Sequence, residues 1–177
     1  MKTNLIKIYP DSLLQNLETV CFNGELPFSF HNFATQEQQS KNQFESFHTR
    51  FEILSKYFNQ YEELLKITDN FYKNLGMQTD IKKSKILFYP SGYDGTVHYD
   101  CPPDNKELVT TITFLNTDWG YNFGGEILVY DDNYRIIDGT VPIFGASFIF
   151  RSYLKHRAVA PVRLSSLVRC VLVTKSK

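Results

Sequence analysis

The sequence predicts a mixed, mainly β fold: a double-stranded β-helix, or jelly roll, with supporting helices before it. Three observations predict it. Apolar residues recur at helical steps up to about residue 78 and alternate at a step of two from residue 79 onward. About eight short alternating segments then follow, separated by turn-forming residues, as in a sandwich or jelly roll. Apolar residues make up 42% and aromatics 15% of the chain, which suits a packed core rather than a disordered segment.

Taken in order, Leu5 to Tyr9 reads as a short strand. Asp11 has the chemistry of an N-cap for a helix carrying Leu13, Leu14, Leu17 and Val20, and Asn23-Gly24 ends it. Phe28-Ser29-Phe30 alternates as a strand would, and the polar run Gln36 to Gln43 reads as a surface loop. The strongest helical pattern runs from Thr49 to Leu75 through Phe51, Leu54, Phe58, Tyr61, Leu65, Thr68 and Tyr72, with Gly76 as its stop. Such a stripe packs against a sheet. The expected strands are Ile86–Tyr89, Thr96–Asp100, Leu108–Leu115, Glu126–Tyr130, Tyr134–Ile137, Ser147–Phe150, Lys155–Ala158 and Leu167–Thr174. Pro90-Ser91-Gly92, Pro102 to Asn105, Gly124-Gly125, Asp131 to Asn133, Asp138-Gly139 and Pro161 mark the turns. No repeat or linker divides the chain, so one domain, 1–177, is expected. Its residues 1–78 are mainly helical support and 79–177 form the β core.

Composition narrows the function. Lys+Arg and Asp+Glu number 19 each, so the chain has no net charge and lacks the basic surface of a non-specific nucleic-acid binder. Cys21, Cys101 and Cys170 are an odd number, far apart, which argues against a disulfide scaffold and against a structural zinc site. Residues Met1 to Ser12 carry no apolar secretory core, and no window is long and apolar enough to span a membrane. A cytoplasmic protein is expected.

The chemistry gathers in the second half. His98 and Asp100 share one face of their expected strand, about 7 Å apart. An imidazole and a carboxylate so placed can bind one metal ion. A third ligand has to come from elsewhere, and His156 lies on another expected strand. Two histidines and one carboxylate suit a non-haem Fe(II) site with open coordination positions. A 2-oxo acid co-substrate would in addition need a cation for its far carboxylate, a task for which the planar fork of arginine is suited.

Several segments in this order resemble the 2-oxoglutarate- and Fe(II)-dependent dioxygenases of the prolyl 4-hydroxylase type. They are Tyr89-Pro90 before a glycine-containing loop, His98-Tyr99-Asp100, and Leu115-Asn116-Thr117-Asp118-Trp119. Gly124-Gly125-Glu126-Ile127-Leu128, Pro142, Gly145, Phe148 to Phe150, His156, Val159 and Pro161-Val162 follow. The resemblance covers Tyr89 to Lys175 and is closest to the oxygen-sensing prolyl hydroxylases and their small microbial relatives. It implies a cupin-like jelly roll, with Fe(II) held by His98, Asp100 and His156. It implies 2-oxoglutarate and O₂ as co-substrates, with ascorbate as reductant. It implies an arginine for the 2-oxoglutarate C5 carboxylate, and two candidates exist: Arg169, which opens an apolar strand and is favoured, and Arg163. Tyr89, Thr110, Ile112, Phe114 and Ile127 would form the rest of the co-substrate pocket. Phe114 stands where close relatives carry a tyrosine, so a hydroxyl from Tyr89 or Thr110 would substitute. The loops Ser91–Gly95 and Asp118–Phe123 would cover the substrate entrance.

The implied reaction is hydroxylation of a prolyl residue in a peptide or protein, with 2-oxoglutarate converted to succinate and CO₂. The alternatives are hydroxylation of a free amino acid, other small molecule or nucleobase, a non-catalytic binding module, and a plain β-sandwich interaction domain. Other residues have plain structural readings. Trp119 anchors a turn, Cys101 faces away from the site, His31 and His48 fall outside the pattern, and Glu126 is a solvated strand residue.

Overall fold

Residues 5–31, 46–92, 94–162 and 167–177 are described by the computed structural model of the chain. The loop expected over Gln36 to Gln43, and Arg163, lie outside them. In chain order the elements are β1 (Ile6–Lys7), α1 (Asp11–Phe22), β2 (Ser29–His31), β3 (Ser46–Arg50), α2 (Phe51–Leu54) and α3 (Tyr61–Asn74). The second half adds β4 (Lys85–Tyr89), β5 (Val109–Phe114), β6 (Ile127–Tyr130), β7 (Ile136–Thr140), β8 (Ala146–Arg151), β9 (Lys155–Ala158) and β10 (Arg169–Lys175).

The described strands form two antiparallel sheets. The larger has the order β1-β8-β5-β10-β4-β3-β2, and the smaller β7-β6-β9. The segment holding His98 extends the smaller sheet through a single bridge to His156 of β9. From β4 onward the chain crosses repeatedly between the sheets, so that sequence neighbours face each other across the interior. This is the jelly roll, and it closes most of the strand edges that an open sheet would leave.

Alternation divides the apolar residues between two cores. Leu87, Ile112, Phe114, Phe148, Val171 and Val173 face the smaller sheet and meet Ile127, Val129 and Ala158 there. Ile86, Phe88, Cys170 and Leu172 face the other way, onto the helices, and meet Leu13, Leu14, Leu17, Phe51, Leu54 and Leu64. β5 is buried on both faces, and its threonines on the helix side are satisfied. Tyr72 of α3 donates its hydroxyl hydrogen to Thr111 at 3.2 Å, and Thr113 pairs with Ser147 at 2.7 Å.

The structure corrects the expected elements in several places. The helix expected from Thr49 to Leu75 is divided. Thr49 lies in β3, paired with Ile86, and a turn region joins α2 to α3. Phe51, Leu54 and Phe58 are buried as expected, but by a short helix and the turn after it, which packing on the sheet edge favours over one long helix. In α3 it is Leu64, rather than Leu65, that is fully buried, and Leu75 is 48% exposed. Asp11 is the first helical residue rather than the cap, and it pairs with Lys7 at 2.9 Å. Thr96–Asp100 is not a strand; only His98 pairs. Tyr134 lies in a turn with φ 60°, and β7 runs through Asp138-Gly139, which was expected to turn. A Cβ at Gly139 would lie 2.8 Å from the carbonyl oxygen of Ile127, so the glycine serves close strand approach.

Candidate metal centre

The inner face of the larger sheet makes the floor of a cavity of about 180 Å³. On β10, Arg169, Val171, Val173 and Lys175 share that face. Their cross-strand partners are Tyr89 for Arg169, Leu87 and Phe114 for Val171, Lys85 and Ile112 for Val173, and Thr110 for Lys175. The floor therefore runs from Tyr89, with Arg169 buried beside it as its cross-strand partner, across an apolar middle, to Thr110 and Lys175 at the other end.

His98, Asp100 and His156 converge over the Lys175 end. Each offers one ligand atom, and these atoms all lie within 4.8 Å of one another. His156 Nε2 is 3.6 Å from Asp100 Oδ2, and His98 Nε2 is 3.9 Å from Oδ1. The bridge between His98 and His156 brings the two imidazoles together, with ring centroids 4.4 Å apart. Phe150 lies against His156 at 4.5 Å and shields it.

Both imidazoles are oriented from behind. Nδ1 of His98 lies 2.8 Å from the carbonyl of Thr96, and Nδ1 of His156 lies 2.9 Å from that of Leu154. A carbonyl can only accept, so each Nδ1 carries a proton and each Nε2 faces the cluster. This is the arrangement in which histidine binds a metal. Burial, followed by the neighbouring His98, pushes the pKa of His156 down to about 4, so it is neutral near pH 7. Burial would raise the pKa of Asp100, but the Lys175 ammonium and the two imidazoles overcome it and hold the carboxyl well below the usual range. Two imidazoles and a carboxylate suit a divalent ion such as Fe(II).

Asp100 is tightly held. Thr110 Oγ1 donates to its Oδ2 at 2.6 Å, and Lys175 Nζ donates to its Oδ1 at 2.5 Å. The backbone N–H of Asp100 donates to the carbonyl of Ser152 at 2.9 Å, while the Ser152 hydroxyl meets that of Thr110 at 2.9 Å.

At the other end Arg169 is completely buried. Its guanidinium lies 4.2 Å from the centroid of the Tyr89 ring, and Nη1 donates to the carbonyls of Gly125 and, at 3.2 Å, Val159. Nε and Nη2 have no hydrogen-bond partner among the described residues. A buried guanidinium with two unmet donors is costly unless an anion meets it. Burial lowers its pKa to about 10, which leaves it charged near neutrality. Gly125 (φ 81°) is required here, because a Cβ would come within 3.1 Å of both Arg169 and Trp119. Trp119 holds the same turn by donating from Nε1 to the carbonyl of Gly124 at 3.1 Å.

Among the expected pocket residues, Tyr89, Thr110, Ile112 and Ile127 line the cavity, whereas Phe114 is buried in the core between the sheets and does not line it. Thr110 is committed to Asp100 and Ser152, so the hydroxyl expected to face a co-substrate serves the carboxylate instead. Cys101 is buried, with its sulfur 3.4 Å from the carbonyl of Asn105, and burial raises its pKa. Lys85, Lys175 and Ser152 were not foreseen. Alternation along β10 from Arg169, and along β4 from Tyr89, carries a signal for the two lysines; nothing in the sequence marks Ser152.

The fold and the cluster define a class: a jelly roll with two histidines and one carboxylate converging inside it. Its solved neighbours share the overall course of the chain. A prolyl-4-hydroxylase of Pseudomonas putida superposes with a TM-score of 0.60 at 16% identity, covering 99% of this chain and 91% of that one. A prolyl hydroxylase of Trichoplax adhaerens, solved with a peptide fragment of the hypoxia inducible factor oxygen degradation domain, gives 0.63 at 18%, covering 98% and 82%. The α-ketoglutarate-dependent carbocyclase SnoK of nogalamycin biosynthesis gives 0.69 at 13%, covering 98% and 78%. No protein-family profile matches the chain, and no curated protein matches it in sequence. The chain thus has the fold of the 2-oxoglutarate- and Fe(II)-dependent oxygenases, prolyl hydroxylases among them.

Proposed function

We propose that this protein is an Fe(II)- and 2-oxoglutarate-dependent dioxygenase that hydroxylates a prolyl residue, acting as the single domain 1–177. The observation that carries this reading is the pairing of two features on one cavity floor. Three side chains able to ligate a metal converge at one end, and a buried arginine with two unmet donors lies against Tyr89 at the other.

In this reading His98 Nε2, the Asp100 carboxylate and His156 Nε2 hold the metal. The metal and 2-oxoglutarate supply the oxidising chemistry when bound, by coupling decarboxylation to insertion of one oxygen atom from O₂. The chain's own residues do the positioning. Nε and Nη2 of Arg169 take the C5 carboxylate of 2-oxoglutarate, and the Tyr89 ring supports the guanidinium from one face. Leu87, Ile112, Ile127 and Val171 line the cavity with apolar surface and keep water from the reacting groups. Thr110 fixes the Asp100 carboxylate so that it meets the metal without rearranging.

The prolyl substrate follows from the motif resemblance, and two fold neighbours are prolyl hydroxylases. The test combines the chain with Fe(II), 2-oxoglutarate and proline-containing peptides under air, then reads succinate release and peptide mass. Succinate together with a gain of one oxygen atom is expected. A chain that neither consumes 2-oxoglutarate nor binds Fe(II) would sink the proposal.

A further inference from the structure

The Asp100 carboxylate is gripped by a cross-strand pair, one residue to each oxygen. Lys175 of β10 and Thr110 of β5 stand opposite each other in the sheet register. Thr110 Oγ1 donates to Asp100 Oδ2 at 2.6 Å, and Lys175 Nζ donates to Oδ1 at 2.5 Å. The ion pair is largely sheltered from water, with 14% of the Lys175 side chain and 10% of the Asp100 side chain exposed. The backbone of Lys175 is anchored separately. Its N–H donates to Ser84 Oγ at 3.4 Å, and its carbonyl accepts the N–H of Asp80 at 2.6 Å. A substitution of the side chain leaves those contacts in place.

The two grips differ in charge. The Thr110 hydroxyl is neutral, whereas the Lys175 ammonium is a compact positive charge. A divalent ion bound through Oδ1 would share that oxygen with a like charge, and in a site sheltered from water such repulsion is strong. Bound through Oδ2, the ion would share its oxygen with a neutral dipole. Oδ2 is also the oxygen that lies 3.6 Å from His156 Nε2. A carboxylate without such a bias can give a metal one oxygen or both. Lys175 therefore makes the two oxygens of Asp100 unequal, which neither histidine nor Thr110 does.

We propose that Lys175 is a positioning residue that restricts Asp100 to binding the metal through Oδ2 alone. The coordination position that a second carboxylate oxygen would fill then stays open for co-substrate or O₂. This rests on the proposed function and assigns a role to a residue that the proposed function leaves without one.

The test uses the full chain saturated with Mn(II), without 2-oxoglutarate. Exchangeable waters on the metal are counted from the broadening of its electron paramagnetic resonance lines in ¹⁷O-enriched water. Wild type should hold about three, the remainder of an octahedron after two imidazoles and one oxygen. Lys175→Met keeps the apolar stem without the charge and should hold one water fewer. Lys175→Gln keeps a donor without the charge and should lose the same water, which gives a second reading if the first variant does not fold. Lys175→Arg restores the cation and should return the wild-type count. Thr110→Val removes only the neutral grip and should keep that count. An unchanged count in Lys175→Met and Lys175→Gln overturns the role of Lys175, as does a wild-type count of about two. So does a count that rises in Lys175→Met, which would make Nζ itself a ligand, a loss that Lys175→Arg does not restore, or an equal loss in Thr110→Val. A wild-type chain that binds no Mn(II) defeats the metal centre and the proposed function with it, whereas every other outcome leaves both standing.

Discussion

The guanidinium of Arg169 lies 4.2 Å from the centre of the Tyr89 ring, and the two residues are direct cross-strand partners on β10 and β4. The pairing fixes a buried cation at the closed end of the cavity and leaves Nε and Nη2 to be met by a ligand.

Arg169→Met should therefore weaken 2-oxoglutarate binding by about a hundredfold, the effect of losing a buried charge-assisted contact. Metal affinity should stay within about twofold of wild type, because Arg169 lies at the opposite end of the floor. Separate calorimetric titrations with Mn(II) and with 2-oxoglutarate check both halves, and an equal loss of the two would contradict the assignment.

Thr110→Val removes the hydroxyl that donates to Asp100 Oδ2 at 2.6 Å while keeping the shape of the residue. Metal affinity should fall by about 10- to 100-fold, as for other outer-shell partners of metal ligands. His98→Ala, which removes a ligand outright, should lower it further. A Co(II) titration followed by visible absorption ranks the two variants.

The pKa of His156 is pushed down from 6.5 to about 4 by burial. Between those values the unfolded chain takes up a proton that the folded chain refuses. The metal-free protein should then lose stability as pH falls through that window, by up to about 3 kcal/mol, and regain it as pH rises. Urea unfolding in the presence of a chelator measures this. The slope assigned to His156 should vanish in His156→Asn.

The phase of α3 can be tested directly. Leu64 is fully buried against the sheet core, whereas Leu65 is only partly buried. Leu64→Ala should cost about 3 kcal/mol, and Leu65→Ala distinctly less. If Leu65→Ala proves the costlier change, the helix is docked in the other phase.

Much of this protein was legible one segment at a time. The β-strand periodicity gave β4, β5, β6, β8, β9 and β10 to within a residue or two at each end, because each buries at least one face and period two is a local property. The helix expected over Thr49 to Leu75 failed for a non-local reason. Thr49 is drawn into β3 by pairing with Ile86, and an apolar stripe cannot tell one long helix from two short ones docked on the same sheet. The strand expected at Thr96–Asp100 failed likewise, since a strand exists only where a partner runs beside it, and here the partnership is one bridge long.

The sequence by itself determined the chemistry available: two imidazoles, a carboxylate and an arginine at the head of an apolar strand, in an order that a jelly roll brings together. Residue type and alternation are written along the chain, so these were readable without coordinates. Only the tertiary structure decided how they meet. It turned both Nε2 atoms toward Asp100 through backbone carbonyls, gave Thr110 to that carboxylate, and set Lys85 and Lys175 beside it. Those relationships join residues far apart in the chain through sheet register and buried hydrogen bonds, and no local pattern encodes either.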